Sequence, residues 1–273
     1  MKALKYFFIS LALISLLSGC SDSSSSDSSG SLSVKVTDAP FPSDIVSEAN
    51  VTIDKIEIRQ SNNTDENPFV TLSESEQTFN LLELSNGITK SLVEMEIEEG
   101  SYDLVRLYVA DAEAVLSDGT KYDLKVPSGA QTGIKIFINP SIEVTGGLAS
   151  ELLLDFDVSE SFVAQGTTDT AAGINGFIFK PAIKAANLST SGRLTGEITD
   201  NLEAVPGAEV SVYEAGTLYT STIANDSGEY TVLGLPEGNY DIIVEHKDYT
   251  SVSFEEVEVT AGNATTLDAE LGN

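Results

Sequence analysis

The chain has 273 residues, with 14 Lys+Arg against 43 Asp+Glu and a formal net charge of −29 at pH 7. A surface so negative repels phosphate backbones, which excludes nucleic acid as a partner, and it disfavours adhesion to anionic headgroups by charge alone. One cysteine and one histidine in the whole chain exclude an intramolecular disulfide, a thiolate metal cluster and a zinc centre built on two histidines.

From the N-terminus, Lys2 and Lys5 precede an apolar run from Tyr6 to Leu17. The run is shorter than the about 20 residues a spanning helix needs and fits the about 7–15 residues of a secretory-signal core. Leu17-Ser18-Gly19-Cys20 closes it and resembles a bacterial lipobox. That resemblance implies cleavage after residue 19, lipid on Cys20, and a chain held at a membrane by more than one acyl chain. Ser21 to Gly30 is serine, aspartate and glycine only. It has nothing to bury and reads as a flexible tether. Ser21, standing where an aspartate would retain some lipoproteins at the inner membrane, favours the outer membrane. The facing leaflet is left open. Removing residues 1–19, with Lys2 and Lys5, leaves 12 basic residues against 43 acidic ones.

Beyond the tether, apolar residues recur with period two, and the helical period is nearly absent. Leu32, Val34 and Val36 share a face. Val51 and Ile53, then Ile56 and Ile58, alternate with a parity change that predicts a bulge at Asp54-Lys55. A short turn is expected near Phe79–Leu84. Val93, Met95 and Ile97 alternate with Glu94, Glu96 and Glu98, giving a half-buried strand with an acidic outer face. Tyr102–Val109 is apolar on both faces and reads as central. Tyr122, Leu124 and Val126 follow a turn at Ser117-Asp118-Gly119, and Ile134, Ile136 and Ile138 run to Asn139-Pro140. Leu152, Leu154, Phe156 and Val158 form a further face. Phe177, Phe179 and Ile183 flank Pro181, which suggests an edge strand. Some nine strands separated by turns argue for an antiparallel sandwich or barrel.

Several pieces keep a fixed order: Leu32–Pro40, Gly100–Leu107, Asp118-Gly119 ahead of Val126-Pro127-Ser128-Gly129, Leu152–Asp157 and Phe179-Lys180-Pro181. Together they resemble the bacterial domain-of-unknown-function family 4382 over residues 31–187. The resemblance implies a β fold and no particular activity.

Asn187–Gly192 is small and polar and reads as a linker. After it, Gly196–Asp200, Val205–Val210, Asp226–Tyr230 and Leu235–Tyr240 resemble the carboxypeptidase regulatory-like domain over residues 192–273. That resemblance implies a seven-stranded, transthyretin-like sandwich. It carries no protease activity, because no peptidase domain accompanies it. Pro206-Gly207 and Asp226-Ser227-Gly228 supply turn chemistry. Tyr230 and Tyr240 have rings to bury and hydroxyls to satisfy.

The candidate chemistry is sparse. His246 lies at a strand end and reads as solvated, so it supports neither a zinc site nor a Ser-His-Asp triad. Asp155 and Asp157, two apart on one strand, share a face with Leu153. With Asp38 they form a candidate calcium site, since calcium takes six to eight oxygen ligands. In the competing reading Asp38 bonds local backbone and the pair faces solvent. Tyr219 and Tyr249 are candidates for a sugar-stacking platform, against core or edge packing. Asp169-Thr170-Ala171 resembles a short O-glycosylation motif. The chain therefore reads as all-β: two antiparallel β-sandwich domains behind a signal peptide (1–19) and a lipidated tether (20–30). It is expected to lack a catalytic centre and a resident cofactor. Its expected partners are the membrane, through its lipid, and a glycan or envelope protein. The alternative is an accessory subunit or a hydrolase using paired carboxylates.

Overall fold

The computed structural model describes residues 28–39, 45–61, 63–64, 68–126, 132–167 and 170–272. Cys20, the tether up to residue 27, Pro40, Pro127–Gly129 and Asp169 lie outside the described residues. No described helix is long and apolar enough to cross a membrane.

The first domain is built from β1 (Ser29–Ala39), β2 (Val46–Gln60), β3 (Phe69–Ser73), β4 (Gln77–Asn80), β5 (Lys90–Glu98), β6 (Gly100–Leu116), β7 (Lys121–Leu124), β8 (Ile134–Val144), β9 (Ala149–Asp157), β10 (Phe162–Gly166), β11 (Ile174–Phe179) and β12 (Ile183–Asn187). One sheet runs β3-β2-β6-β8-β12-β9-β1-β5, with β4 added to β2 and β7 to β6. Its two ends return to each other: β3 lies against β5, and Gln77 Nε2 donates to Leu92 O at 2.9 Å. The sheet thus curls around a core that holds Leu32, Val34, Val36, Ile58, Val105, Leu107, Leu152, Leu154 and Phe156. Those residues are the period-two faces of the sequence.

The strands are not all antiparallel. β1 pairs β9 in parallel from Ser31↔Ala149 to Ala39↔Asp157, and β12 meets β8 in parallel at Ala185↔Ile138. Alternation predicts faces but not partners, so this mixed topology could not be read from the sequence. The predicted bulge is present, as a register shift in β2 between Ile53 and Lys55, and β6 is central. The turn near Phe79–Leu84 is a 3-10 turn over Leu81–Leu84, whose Asn80 side chain accepts from Leu82 N. Pro181 does not sit in an edge strand. It separates β11, which pairs only with β10, from β12, which lies between β9 and β8. β3, β4 and β10 are short, and twelve strands are found among the described residues where nine were expected.

The second domain comprises β13 (Gly192–Asp200), β14 (Glu203–Ala204), β15 (Glu209–Glu214), β16 (Thr217–Ile223), β17 (Glu229–Leu235), β18 (Gly238–Glu245), β19 (Val252–Val259), β20 (Ala264–Thr266) and β21 (Ala269–Glu270). β14-β13-β17, with β20 and β21 parallel to β13, faces the sheet β16-β15-β18-β19. Counting β20 and β21 as one interrupted strand and setting aside two-residue β14 leaves seven strands. Leu194, Ile198, Val210, Val212, Ile242 and Val244 fill the space between the sheets. Tyr230 and Tyr240 bury their rings there. Their hydroxyls donate to Leu267 O at 2.5 Å and Pro236 O at 2.9 Å, which satisfies the polar end of each ring. Gly196 has no room for a side chain: an added Cβ would lie 1.9 Å from Leu267 O.

The expected linker is a folded turn. Thr190 N and Ser191 N donate to Asn187 O, Leu188 N donates to Glu151 O, and Ser189 Oγ accepts from Glu151 N. It ties the two domains together at the start of β9.

Candidate functional site

The sequence-predicted acids lie at the junction of the domains. The β1–β9 register sets Thr37 beside Asp155, Asp38 beside Phe156 and Ala39 beside Asp157. Paired residues share a face and successive residues alternate. Asp38 therefore falls on the core side, while Asp155 and Asp157 fall on the outer side. Asp38 is 4% exposed. Its Oδ1 accepts from Val158 N at 3.3 Å, and its Oδ2 has no partner among the described residues. Burial, then the nearby Asp155 charge, pushes its pKa well above the usual carboxylate range. Asp157 Oδ1 instead caps the single helical turn Val158–Ser161, accepting from Glu160 N at 2.9 Å and Ser159 Oγ at 2.7 Å. Among the described residues no three His, Cys, Asp or Glu groups are arranged to hold a metal ion. Asp38 and the Asp155/Asp157 pair, expected together in a calcium site, thus fall on opposite faces of the sheet.

Asp155 faces the second domain. Its Oδ2 accepts from Thr220 Oγ1 at 3.0 Å. Burial pushes its carboxyl up to about 6, while the Thr220 hydroxyl and Lys184 act in the opposite direction. Leu153, on the same face, is 1% exposed, and Gly234 of β17 comes within 3.2 Å of Leu153 Cδ2 at its notional Cβ. Lys184 of β12 donates to Tyr219 O and lies 5.0 Å from the Tyr219 ring centroid. Tyr219 is thus packed in the junction and against Tyr240, which removes it from an exposed platform. Tyr249 lies 5.2 Å from the His246 ring, and His246 Nδ1 accepts from Asp248 N at 3.2 Å.

A turn closes the junction. Asn86 and Gly87 both have positive φ, 57° and 74°, and Ile88 N donates to Ser85 O at 3.2 Å. Asn-Gly at the two central positions suits this backbone. Thr37 Oγ1 lies 2.8 Å from Leu84 O and 2.9 Å from Ile88 O, sharing its proton and pinning the turn to β1. Asn86 then reaches across. Its Oδ1 accepts from Thr231 N at 2.6 Å, its Nδ2 donates to Glu229 O at 3.0 Å, and its backbone N donates to Thr222 Oγ1 at 3.1 Å. Among the described strands β17 pairs only with β13, so the Asn86 carboxamide covers its other edge. The space left between Asp155, Thr220 and this turn is about 10 Å³, room for about one water molecule. A wider cleft of about 240 Å³ lies beside the folded linker, lined by Glu151, Ser191, Arg193, Leu233 and Asn263 among others.

The other outer face of the first domain carries a cluster not expected from the sequence. Register places Phe69, Arg59, Leu104 and Phe137 in one row across β3, β2, β6 and β8. Thr71, Glu57, Arg106 and Lys135 form the next row, and Lys55 pairs with Tyr108 in a third. Glu57 is 7% exposed. Lys55 Nζ lies 2.9 Å from its Oε1, while Arg106 Nη1 at 3.3 Å and the Tyr108 hydroxyl at 2.9 Å reach its Oε2. Burial pushes the Glu57 carboxyl up, but the hydrogen bonds from Lys55 and Tyr108 and the nearby cations more than offset it, holding it below its ordinary value. The Arg106 guanidinium stacks 3.7 Å from the Phe69 centroid, and Arg59 forks onto Asp103 at 2.8 and 2.9 Å. Phe137 is 67% exposed, beside exposed Lys135. Leu104 lies on this same outer face yet is 1% exposed. The signal was available in Leu104, Arg106 and Tyr108, which alternate with core-facing Val105, Leu107 and Val109. It was masked because the strand reads as apolar on both sides.

The family model for the domain of unknown function DUF4382 matches residues 29–181, more than half of the chain. The chain belongs to this family. The model for the carboxypeptidase regulatory-like domain matches residues 193–272. No curated protein matches the chain. Among solved structures, similarity extends to a candidate carbohydrate-binding protein of Bacteroides uniformis, at 21% identity over 29% of this chain and 40% of that one, with a TM-score of 0.26. It extends also to the TIE protein of Bacillus anthracis, at 16% identity over 90% of this chain and 34% of that one, with a TM-score of 0.26. The shaft pilin SpaA of Lactobacillus rhamnosus matches at 10% identity over 89% and 98%, again with a TM-score of 0.26. The chain spans two fifths or less of the first two. Likenesses this slight carry no functional weight. Within the DUF4382 domain, the stretch Gly100–Leu107 builds β6, with Arg106 on the platform, and Leu152–Asp157 builds β9, with Asp155 at the junction.

Proposed function

We propose that this DUF4382 protein is a non-catalytic binding module of the cell envelope, tethered to the outer membrane through lipid on Cys20. Its DUF4382 domain presents a glycan-binding face, and its second domain serves as a docked support. The observation that carries the reading is the outer face of β3, β2, β6 and β8. There a largely exposed phenylalanine stands among cations on a rigid sheet, in a chain whose charge is otherwise strongly negative. Aromatic rings offer flat apolar surface to the C–H face of a sugar, and the flanking polar groups can fix its orientation. A hydrolase using Asp38 and Asp155 is disfavoured. The two side chains fall on opposite faces of the sheet, and the space beside Asp155 admits no sugar.

Two measurements test this. Metabolic labelling with palmitate should mark the parent and not Cys20→Ala, and the variant should leave the membrane fraction. A glycan array probed with the full chain should give binding that Phe137→Ala abolishes. Binding indifferent to Phe137 would remove the platform from the reading.

A further inference from the structure

We infer that the glycan taken by this face is anionic, a uronate-containing oligosaccharide whose carboxylates meet Lys135 and Arg106 while a sugar ring lies on Phe137. This rests on the glycan-binding reading and adds its charge class.

The argument is one of charge placement. Four of the 12 basic residues that follow Cys20, namely Lys55, Arg59, Arg106 and Lys135, share one face of three adjacent strands. Among the described residues, the acids that pair with them are Glu57, Asp103 and Glu74, the last 3.4 Å from Lys55. Arg59 is paired with Asp103 through Nε and Nη2. Arg106 gives Glu57 one Nη1 contact at 3.3 Å and is held rigid against Phe69. Lys135 makes no ion pair with a described residue and is exposed. A local excess of positive charge thus stands beside the exposed ring. At physiological salt the Debye length is about 8 Å, so the distant acidic surface is screened while a carboxylate in contact with Lys135 is not. Adjacent strands are about 4.8 Å apart, and four of them give a footprint suited to a short oligosaccharide. Asp103, with side-chain exposure of 34%, provides acceptors for sugar hydroxyls.

The test is calorimetric titration of the full chain at about 0.15 M salt with a panel of α- and β-linked oligouronates and their methyl esters, which keep the backbone and remove the charge. The acid form of one panel member should bind at least tenfold more tightly than its ester. Lys135→Gln should weaken the acid form several-fold and leave the ester unchanged, and Phe137→Ala should weaken both. Both side chains are exposed, so circular dichroism should show each variant folded like the parent. Equal affinity for acid and ester, or indifference to Lys135→Gln, overturns the charge assignment and leaves the glycan reading intact if Phe137→Ala still weakens binding. Binding to phosphatidylglycerol vesicles with no binding to any sugar overturns both. Silence towards every ligand does the same.

Discussion

Replacing Asp155 with asparagine should make the protein more stable at neutral pH and change little in acid. Asp155 has its carboxyl pushed up to about 6 by burial at the domain junction, against about 3.9 in an unfolded chain. The folded state therefore binds its proton more tightly than the unfolded state between about pH 4 and 6. Stability from this group is present at low pH, declines as pH rises through that window, and stays reduced above it. A shift of two units corresponds to about 3 kcal/mol at most. The side chain is only half-buried, so screening reduces this to about 1–2 kcal/mol. Asparagine has no charge to desolvate, and its amide oxygen can still accept the Thr220 hydroxyl that now lies 3.0 Å from Asp155 Oδ2. For a chain of this size that gain is worth about 3–6 °C in Tm. Calorimetric melts of parent and Asp155→Asn at pH 4, 5.5 and 7.5 should show the gap opening with pH. Thr220→Val, which leaves the carboxylate without its donor, should lose stability at pH 7.5 and lose less at pH 4. A variant less stable than the parent at pH 7.5, or a gap that ignores pH, would refute the reasoning.

Asn86→Gly keeps the positive-φ turn but deletes both carboxamide bonds to β17. It should cost about 1–2 kcal/mol and split one calorimetric transition into two as the domains uncouple. Asn86→Ala should cost about 1 kcal/mol more, for placing an ordinary residue in the left-handed region. Gly234→Ala would bring a Cβ to 2.9 Å from the Ala186 Cβ at a φ of 73°, so it should loosen docking while each domain keeps its own strand content by circular dichroism. Gly196→Ala should be far more damaging, at more than about 3 kcal/mol. Its Cβ meets the Leu267 carbonyl, and loss of soluble protein on expression would be the readout.

Faces were legible in the sequence and partnerships were not. Leu32, Val34 and Val36 declare which way β1 faces, because alternation records burial directly. Nothing in those residues says that β1 runs parallel to β9 rather than against a hairpin neighbour. Leu153, on the outer face with the acidic pair, is buried beside Gly234 of the second domain, a contact that period two could not supply. The acidic pair was found by spacing. Its role was not, since the capping of one helical turn by Asp157 and the seating of Asp155 on Thr220 depend on long-range packing. The Phe69–Arg106–Phe137 face is assembled across four strands far apart in the chain. Residues 69, 106 and 137 could be brought together only by knowing register.

The Asn86 carboxamide has a consequence for how portable the second domain is. Excised at residue 192, that domain would present the uncovered backbone of β17 to its own copies, and unpaired strand backbone is a template for self-association. The excised unit should therefore oligomerise or precipitate where the intact chain does not. Inheritance of the two domains as a single cassette would follow from that chemistry.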